Sequence, residues 1–301
     1  MISLDYITFA SYNRKVISTI YNNNAIRLHS LANESGWVDY DVYRIDKLIK
    51  LYFHRNKFGE YDKVFISFSP HIITNKGRHN ANFFNYDSAL AIIRLTFFKL
   101  GLLQDDFSKF YISSVEIGIN FKVHRDPYLI LESALMFDRR FFKAHTVYKH
   151  YKYVENEKNK YKKVKFYIKS EQIDNRTGLR YHELRYCENN VMRFEIKIER
   201  ADKFTFFDFS NMNNLFSGSA EQIFKSFLTK EYKKMFFFSL KEVNQKKIKS
   251  NIQKKHFSKW QVPNFWEQLT ARKRNAEKKF YNDLEKLFDL KKEIGDLLFG
   301  R

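Results

Sequence analysis

A single cysteine, Cys187, in 301 residues excludes a disulfide framework within the chain and fits a reducing compartment. Proline (three) and glycine (nine) are scarce as well, so tight turns are few. No glycine-rich phosphate loop, HExxH zinc motif or GxSxG nucleophile turn occurs, which argues against a nucleotide-hydrolysing engine, a zinc enzyme and a serine hydrolase. The apolar stretch 89–103 is broken by Arg94 and Lys99, and no run reaches the ~20 residues of a membrane span. The first ten residues carry Asp5 and lack a basic region ahead of an apolar core, unlike a secretory signal. The expectation is a soluble cytoplasmic protein with no membrane partner.

Negative charge is the other shortage. Asp and Glu total 34 against 54 Lys and Arg, a net charge of +20. An adenine-rich genome would enrich lysine, but it would enrich acidic codons too. The imbalance therefore points to a polyanionic partner, nucleic acid before membrane, since no basic amphipathic anchor or lipidation motif is present. What the chain has in plenty is rings: 32 Phe and 19 Tyr, with 44% hydrophobic residues overall. That is enough to build a core, and the length suits two domains or one duplicated domain with an appendage.

Three parts are expected. Residues 1–106 hold strand-like segments at Ile2–Phe9, Ala25–Leu31 and Val64–Ser69. A polar loop, Pro70–Asn85, carries His71 and His79. A helix follows from Asp87 or Ser88 to Leu100, stopped by Gly101. Residues 107–210 hold three alternating strands and a helix at Asp126–Phe137. Residues 211–301 read as helical, most clearly over Phe265–Leu298, where Asn264 and Glu267 have capping-box spacing. From residue 221 onward there are 20 Lys or Arg and 10 Asp or Glu, as expected for a DNA-contacting appendage. A solvated helical surface would carry such charges too. The fold class is α+β: antiparallel sheets with helices on one face, with the possibility of a duplicated unit, plus a helical C-terminal region.

The three strands carry the chemistry. Ser114–Val123 alternates Val115, Ile117, Ile119 and Phe121 with Glu116, Asn120 and Lys122. Val164–Lys169 sets Lys165, Tyr167 and Lys169 opposite an apolar face, and Met192–Glu199 does the same with Arg193, Glu195, Lys197 and Glu199. In one sheet, two carboxylates and a tyrosine would share an open polar face. Glu116 and Glu195 offer hard oxygen donors suited to Mg2+ or Mn2+. Between them, Tyr148–Lys169 interleaves rings with Lys149, Lys152, Lys162, Lys163 and Lys165, as a single-stranded nucleic-acid surface would. Arg193, Lys273 and Arg274 are further candidate phosphate contacts. An ordinary half-solvated sheet with cross-strand tyrosine pairs gives the same pattern.

In order, Thr146-Val147-Tyr148, the strand ending Tyr167-Ile168-Lys169 and the strand with Arg193-Phe194-Glu195 resemble motifs of rolling-circle replication initiators, of the small-plasmid and filamentous-phage gene II types. The resemblance spans roughly residues 64–204, and Glu116 stands where that family has an acidic strand residue. No His–hydrophobe–His triplet, the metal motif of the wider nickase superfamily, is present among the nine histidines. The resemblance implies a Mg2+- or Mn2+-dependent enzyme that nicks a single-stranded or hairpin origin by tyrosine attack. It would leave a 5′-phosphotyrosine and a free 3′-hydroxyl. The nucleophile stays open between Tyr167 and Tyr148, with Lys169 and Lys165 holding phosphates. DNA is the implied partner, with a host helicase and a second copy of the chain as further candidates. A non-catalytic DNA- or RNA-binding protein, and a relaxase or transposase, fit the same residues.

Overall fold

The computed structural model describes residues 2–23, 29–31 (backbone alone), 40–82, 84–144, 149–155, 161–243, 245–262, 264–284 and 289–299. The first part comprises β1 (Ile2–Ser11), α1 (Arg14–Tyr21), β2 (His29–Leu31), β3 (Tyr40–Ile45), β4 (Ile49–Arg55), β5 (Tyr61–Phe68), α2 (Pro70–Thr74) and α3 (Tyr86–Lys99). Then follow β6 (Tyr111–Lys122), α4 (Pro127–Ser133), β7 (Ala134–Phe137), β8 (Arg140–Phe141), β9 (Lys143–Ala144), β10 (Tyr151–Glu155), β11 (Lys162–Ile168) and β12 (Val191–Ile198). The chain ends through α5 (Ala220–Tyr232), β13 (Met235–Phe237), α6 (Asn251–Trp260), α7 (Phe265–Gln268), α8 (Ala271–Asp283) and α9 (Leu290–Phe299).

One antiparallel sheet of ten strands, ordered β2-β3-β4-β5-β1-β6-β12-β11-β10-β9, runs through the first two parts. The seam is the β1–β6 pair. Outward from β1 come β5, β4, β3 and β2, and outward from β6 come β12, β11, β10 and β9, so both sides use the same order of return. On one face Phe9, Leu51, Ile66, Ile117, Phe166, Phe194 and their neighbours are buried against α1, α3, α5 and α9. This is the one-sided burial that alternation demands.

Several boundaries differ from the sequence expectation. The polar loop after β5 begins with α2, because Ser69 caps it and Pro70 fits its first turn. Helix α3 starts earlier, at Tyr86, where the Asn85 side chain accepts the Ser88 N–H. Helix α4 stops at Ser133. The apolar run Ala134–Phe137 instead pairs as β7 with β13, since a short apolar run fits strand as well as helix. The long helix expected over Phe265–Leu298 is broken into α7, α8 and α9. Thr270 restarts it as the α8 cap, and Asn264 is left-handed without a side-chain cap bond.

The basic C-terminal part is docked rather than free. Leu290, Ile294 and Leu298 of α9 enter the main core, while Trp260, Trp266 and Tyr281 form a second cluster with Met136 and Phe236. No described helix is long and apolar enough to cross a membrane.

Candidate active site

The other sheet face carries the polar set, and strand register brings it together. Lys165 pairs with Glu195 and Tyr167 with Arg193 across β11–β12. On the far side of β12, Glu195 pairs with Gly118 and Arg193 with Asn120 of β6. β1 adds Asp5, which the sequence reading did not single out. Its pairing with β6 is irregular between Leu4 and Tyr6, and such a slip re-aims a side chain. One carboxylate oxygen each from Asp5, Glu116 and Glu195 lies within 4.8 Å of the others.

Cations fill the spaces between. Lys165 Nζ donates to Glu116 Oε2 at 2.6 Å and to Glu195 Oε1. Arg193 Nε donates to Glu195 Oε2 at 2.8 Å, Nη1 to Asn120 Oδ1 at 2.7 Å, and Nη2 to Ser3 Oγ at 2.9 Å. Nη2 also pairs with Asp5 Oδ2 at 2.8 Å. The guanidinium lies so close over Gly118 that a Cβ there would stand 2.4 Å from Nη2. Tyr167 Oη donates to Glu195 Oε2 at 3.2 Å, and its ring lies 5.2 Å from that of Tyr151.

This part of the face is not the open surface expected from alternation. Residues 69–82 and 170–188 cover it. Asn80 Nδ2 reaches Asp5 Oδ2 at 3.3 Å, and Asn80 Oδ1 accepts from the fully buried Lys169 Nζ at 2.7 Å. Above them His79 stacks on Tyr186 at 3.8 Å, and the Tyr181 ring lies 5.7 Å from Lys169 Nζ. Tyr167 is left 3% exposed.

Burial and charge set the protonation states. Burial raises the Asp5 carboxyl, but Arg193, then the facing His71 ring and Lys169, outweigh it and hold the group below the usual range. Glu195 is likewise lowered, with Lys165 and Arg193 overcoming burial. Glu116 goes the other way: burial, then the Glu195 charge, push it up to about 7. Burial also raises Tyr167 well above its ordinary value, reinforced by Glu195, and pulls Lys169 down to about 8. His79 is lowered to about 4 by burial.

A pH dependence follows from Glu116. Its folded value lies above the ordinary 4.5, so its contribution is fully present below that ordinary value and is lost as pH rises through about 7. In chelator-containing buffer, Glu116→Gln should raise the urea-unfolding free energy relative to the parent by about 1–3 kcal/mol at pH 8, with little change at pH 4.5. An equal difference at both pH values would exclude a raised Glu116.

Several candidate phosphate contacts are committed elsewhere. Arg193 is wholly buried and Lys165 bridges carboxylates, so neither reaches a solvent-side phosphate in this arrangement. Lys152 Nζ donates to the carbonyls of Glu132 and Ala134, on the helix side of the sheet. Lys162 pairs with Glu231 at 2.6 Å, and Arg274 caps the carbonyls of Leu269 and Trp266. Lys149 and Lys273 are exposed, and Lys163 lies over the Tyr153 ring at 4.6 Å. Tyr148 falls outside the described residues.

Further along the same face the sheet opens. A cavity of about 950 Å³ is lined by Tyr12, Lys63, Phe65, Tyr111, Arg200 and Phe207, among others. Tyr12 and Tyr111 stack at 6.0 Å, and Lys63 Nζ sits 4.6 Å from the Tyr12 ring centre and 4.4 Å from that of Phe65.

The chain matches no family model and no curated protein. Among solved structures it is similar to a rolling-circle replication initiator protein from Geobacillus stearothermophilus. The identity is 11%, the alignment covers 92% of this chain and 96% of that one, and the TM-score is 0.45.

Proposed function

We propose that this chain is a replication initiator that cleaves one DNA strand by tyrosine transesterification at the Asp5–Glu116–Glu195 cluster. The observation that carries the reading is the meeting of three carboxylates with Tyr167 and three cations on one sheet face. The ordered Tyr-x-Lys and Arg-x-Glu strands named above supply Tyr167, the three cations and Glu195, while Asp5 comes from β1 and Glu116 from β6.

The oxygen donors suit Mg2+ or Mn2+, with Asp5, Glu116 and Glu195 as the residues that would hold the ion. Bound there, it would polarise a phosphoryl oxygen and offset the charge that grows on it. Tyr167 is protonated at neutral pH and needs a base, and Glu195, ionised and 3.2 Å away, is placed to take the proton. The phenolic oxygen forms the new P–O bond while the bond from phosphorus to the 3′ oxygen breaks. That oxygen leaves as a hydroxyl after gaining a proton, and the 5′ phosphate stays on tyrosine. Lys169 lies beside Tyr167 and, once the cover is displaced, would balance the negative charge of the incoming phosphate, while Lys165 stays on its two carboxylates. The aromatic and basic cavity at Tyr12, Lys63 and Tyr111 suits unpaired bases of the same strand.

A second reading, a nucleic-acid-binding protein without catalysis, draws on the burial of Tyr167 and the pairing of each carboxylate with a cation. The two separate on one measurement. With Mn2+ and a pool of labelled single strands and hairpins of varied sequence, the initiator gives a covalent protein–DNA band that survives denaturation. Tight binding without such a band across the pool selects the second reading.

A further inference from the structure

His71 is 1% exposed, and its Nδ1 has no hydrogen-bond partner. The proton positions around it are fixed by its neighbours. Asn75 Nδ2 lies 3.2 Å from the His71 carbonyl and 3.1 Å from the His79 carbonyl, so that atom must be the amide nitrogen. The Asn82 atom 2.8 Å from it is an oxygen, because a second amide nitrogen there would set donor against donor. That same oxygen lies 2.7 Å from His71 Nε2, so Nε2 carries the hydrogen. In the neutral ring Nδ1 is then a bare lone pair, and it faces Asp5 Oδ1 at 3.8 Å.

Two acceptors facing each other in a buried site leave a gap for something positive. Asp5 Oδ1 accepts one bond, from Ser3 Oγ at 3.1 Å, and keeps a lone pair. Two ligands about 2.1 Å from a common ion stand at most about 4.2 Å apart, so 3.8 Å is within one ion's span. The supporting shell is also built. The Nε2–H is held by Asn82, as the second ring nitrogen of a metal-bound histidine usually is, and the ring is stacked 4.4 Å from Phe84. A cavity of about 340 Å³ reaches the His71 side of the gap, lined in part by His71, Ser3, Asn82, Asn120 and Lys122.

We propose that His71 Nδ1 and the Asp5 carboxylate jointly hold a divalent transition-metal ion, manganese in preference to magnesium, at the edge of the Asp5–Glu116–Glu195 cluster. Imidazole selects first-row transition ions, whereas magnesium favours an all-oxygen shell. The proposal rests on the reading of this cluster as a cation-dependent centre and adds the nitrogen ligand that the carboxylates alone would not supply.

The test uses the full chain with Mn2+ as the only added metal. Pulsed EPR of the Mn2+-loaded protein should show modulation from a directly bound imidazole nitrogen. His71→Gln should abolish it and weaken Mn2+ binding by at least about tenfold, while Mg2+ binding changes by less than about threefold. If His71→Gln does not fold, the nitrogen signal of the unaltered protein decides alone. No Mn2+ bound near the cluster, or bound Mn2+ without nitrogen coupling, overturns the proposal, leaving a bridging water or an imidazolium–carboxylate pair in the gap. A covalent DNA adduct without nitrogen coupling overturns this proposal and keeps the strand-cleaving reading. Nitrogen coupling without an adduct does the reverse.

Discussion

Arg193→Met should lower the unfolding free energy by about 3–5 kcal/mol, a large share of the 5–15 kcal/mol typical of a folded domain. Arg193 is fully buried, and its guanidinium holds Glu195, Asp5, Ser3 and Asn120 at once. Methionine matches much of its volume, so the loss comes mainly from Asp5 and Glu195 left buried beside fewer cations. Two checks separate charge from packing. Asp5→Asn placed in the Arg193→Met background should recover part of the loss, because one stranded charge is gone. The parent also owes stability to the lowered Asp5 value, present above the ordinary carboxylate range and lost as pH falls through the lowered one. The gap between parent and variant should therefore narrow on acidification. A gap that stays constant from pH 7 to pH 3, with no recovery in the double variant, would assign the loss to packing. Gly118→Ala reaches the same group from β6, since its Cβ would displace the guanidinium, and a smaller loss of about 1–3 kcal/mol is expected.

The sheet was legible because its alternation is clean. Val115, Ile117 and Ile119, and Phe194, Ile196 and Ile198, repeat with period two and are all buried on one face. The same rule led to the expectation that Arg193 and Glu195 would be solvated, because alternation reports which face a residue takes and not what covers that face. The cover comes from His71 in the short helix α2 and from Asn80 and Tyr181 in loops, whose positions depend on contacts distant in sequence. Asp5 was hidden by a phase slip. Ile2 and Leu4 keep one rhythm and Ile7 and Phe9 another, so Asp5-Tyr6 marks a bulge that a fixed period passes over. A tandem of polar residues where alternation allows one is the signal that could have found it. The break of the C-terminal helix at Leu269–Thr270 had a readable sign as well, since Thr270 suits an N-cap better than a helix interior.

Tyr167→Phe is the sharper test of the chemistry, because it removes one oxygen and leaves the ring packed against Tyr151. If Tyr167 is the attacking group, the variant should form no covalent DNA adduct, a loss beyond about 10³-fold, while binding single-stranded DNA as before. Its thermal stability should move little, since the hydrogen bond removed is a long one, at 3.2 Å, to a carboxylate that keeps Arg193 and Lys165 as partners. Glu195→Gln gives the complementary result. It keeps the shape but cannot take the phenolic proton, so adduct formation should fall by about 10²–10⁴-fold. Because Tyr167 is 3% exposed, DNA must displace part of the cover before attack. Cleavage should then be limited by that opening, and loosening the cover through Asn80→Ala should change the observed rate without changing the site of cleavage. An adduct that survives Tyr167→Phe places the nucleophile on another tyrosine. Peptide mapping of that adduct would then distinguish Tyr148 from the half-buried Tyr151 and Tyr181, whose rings border the same cluster.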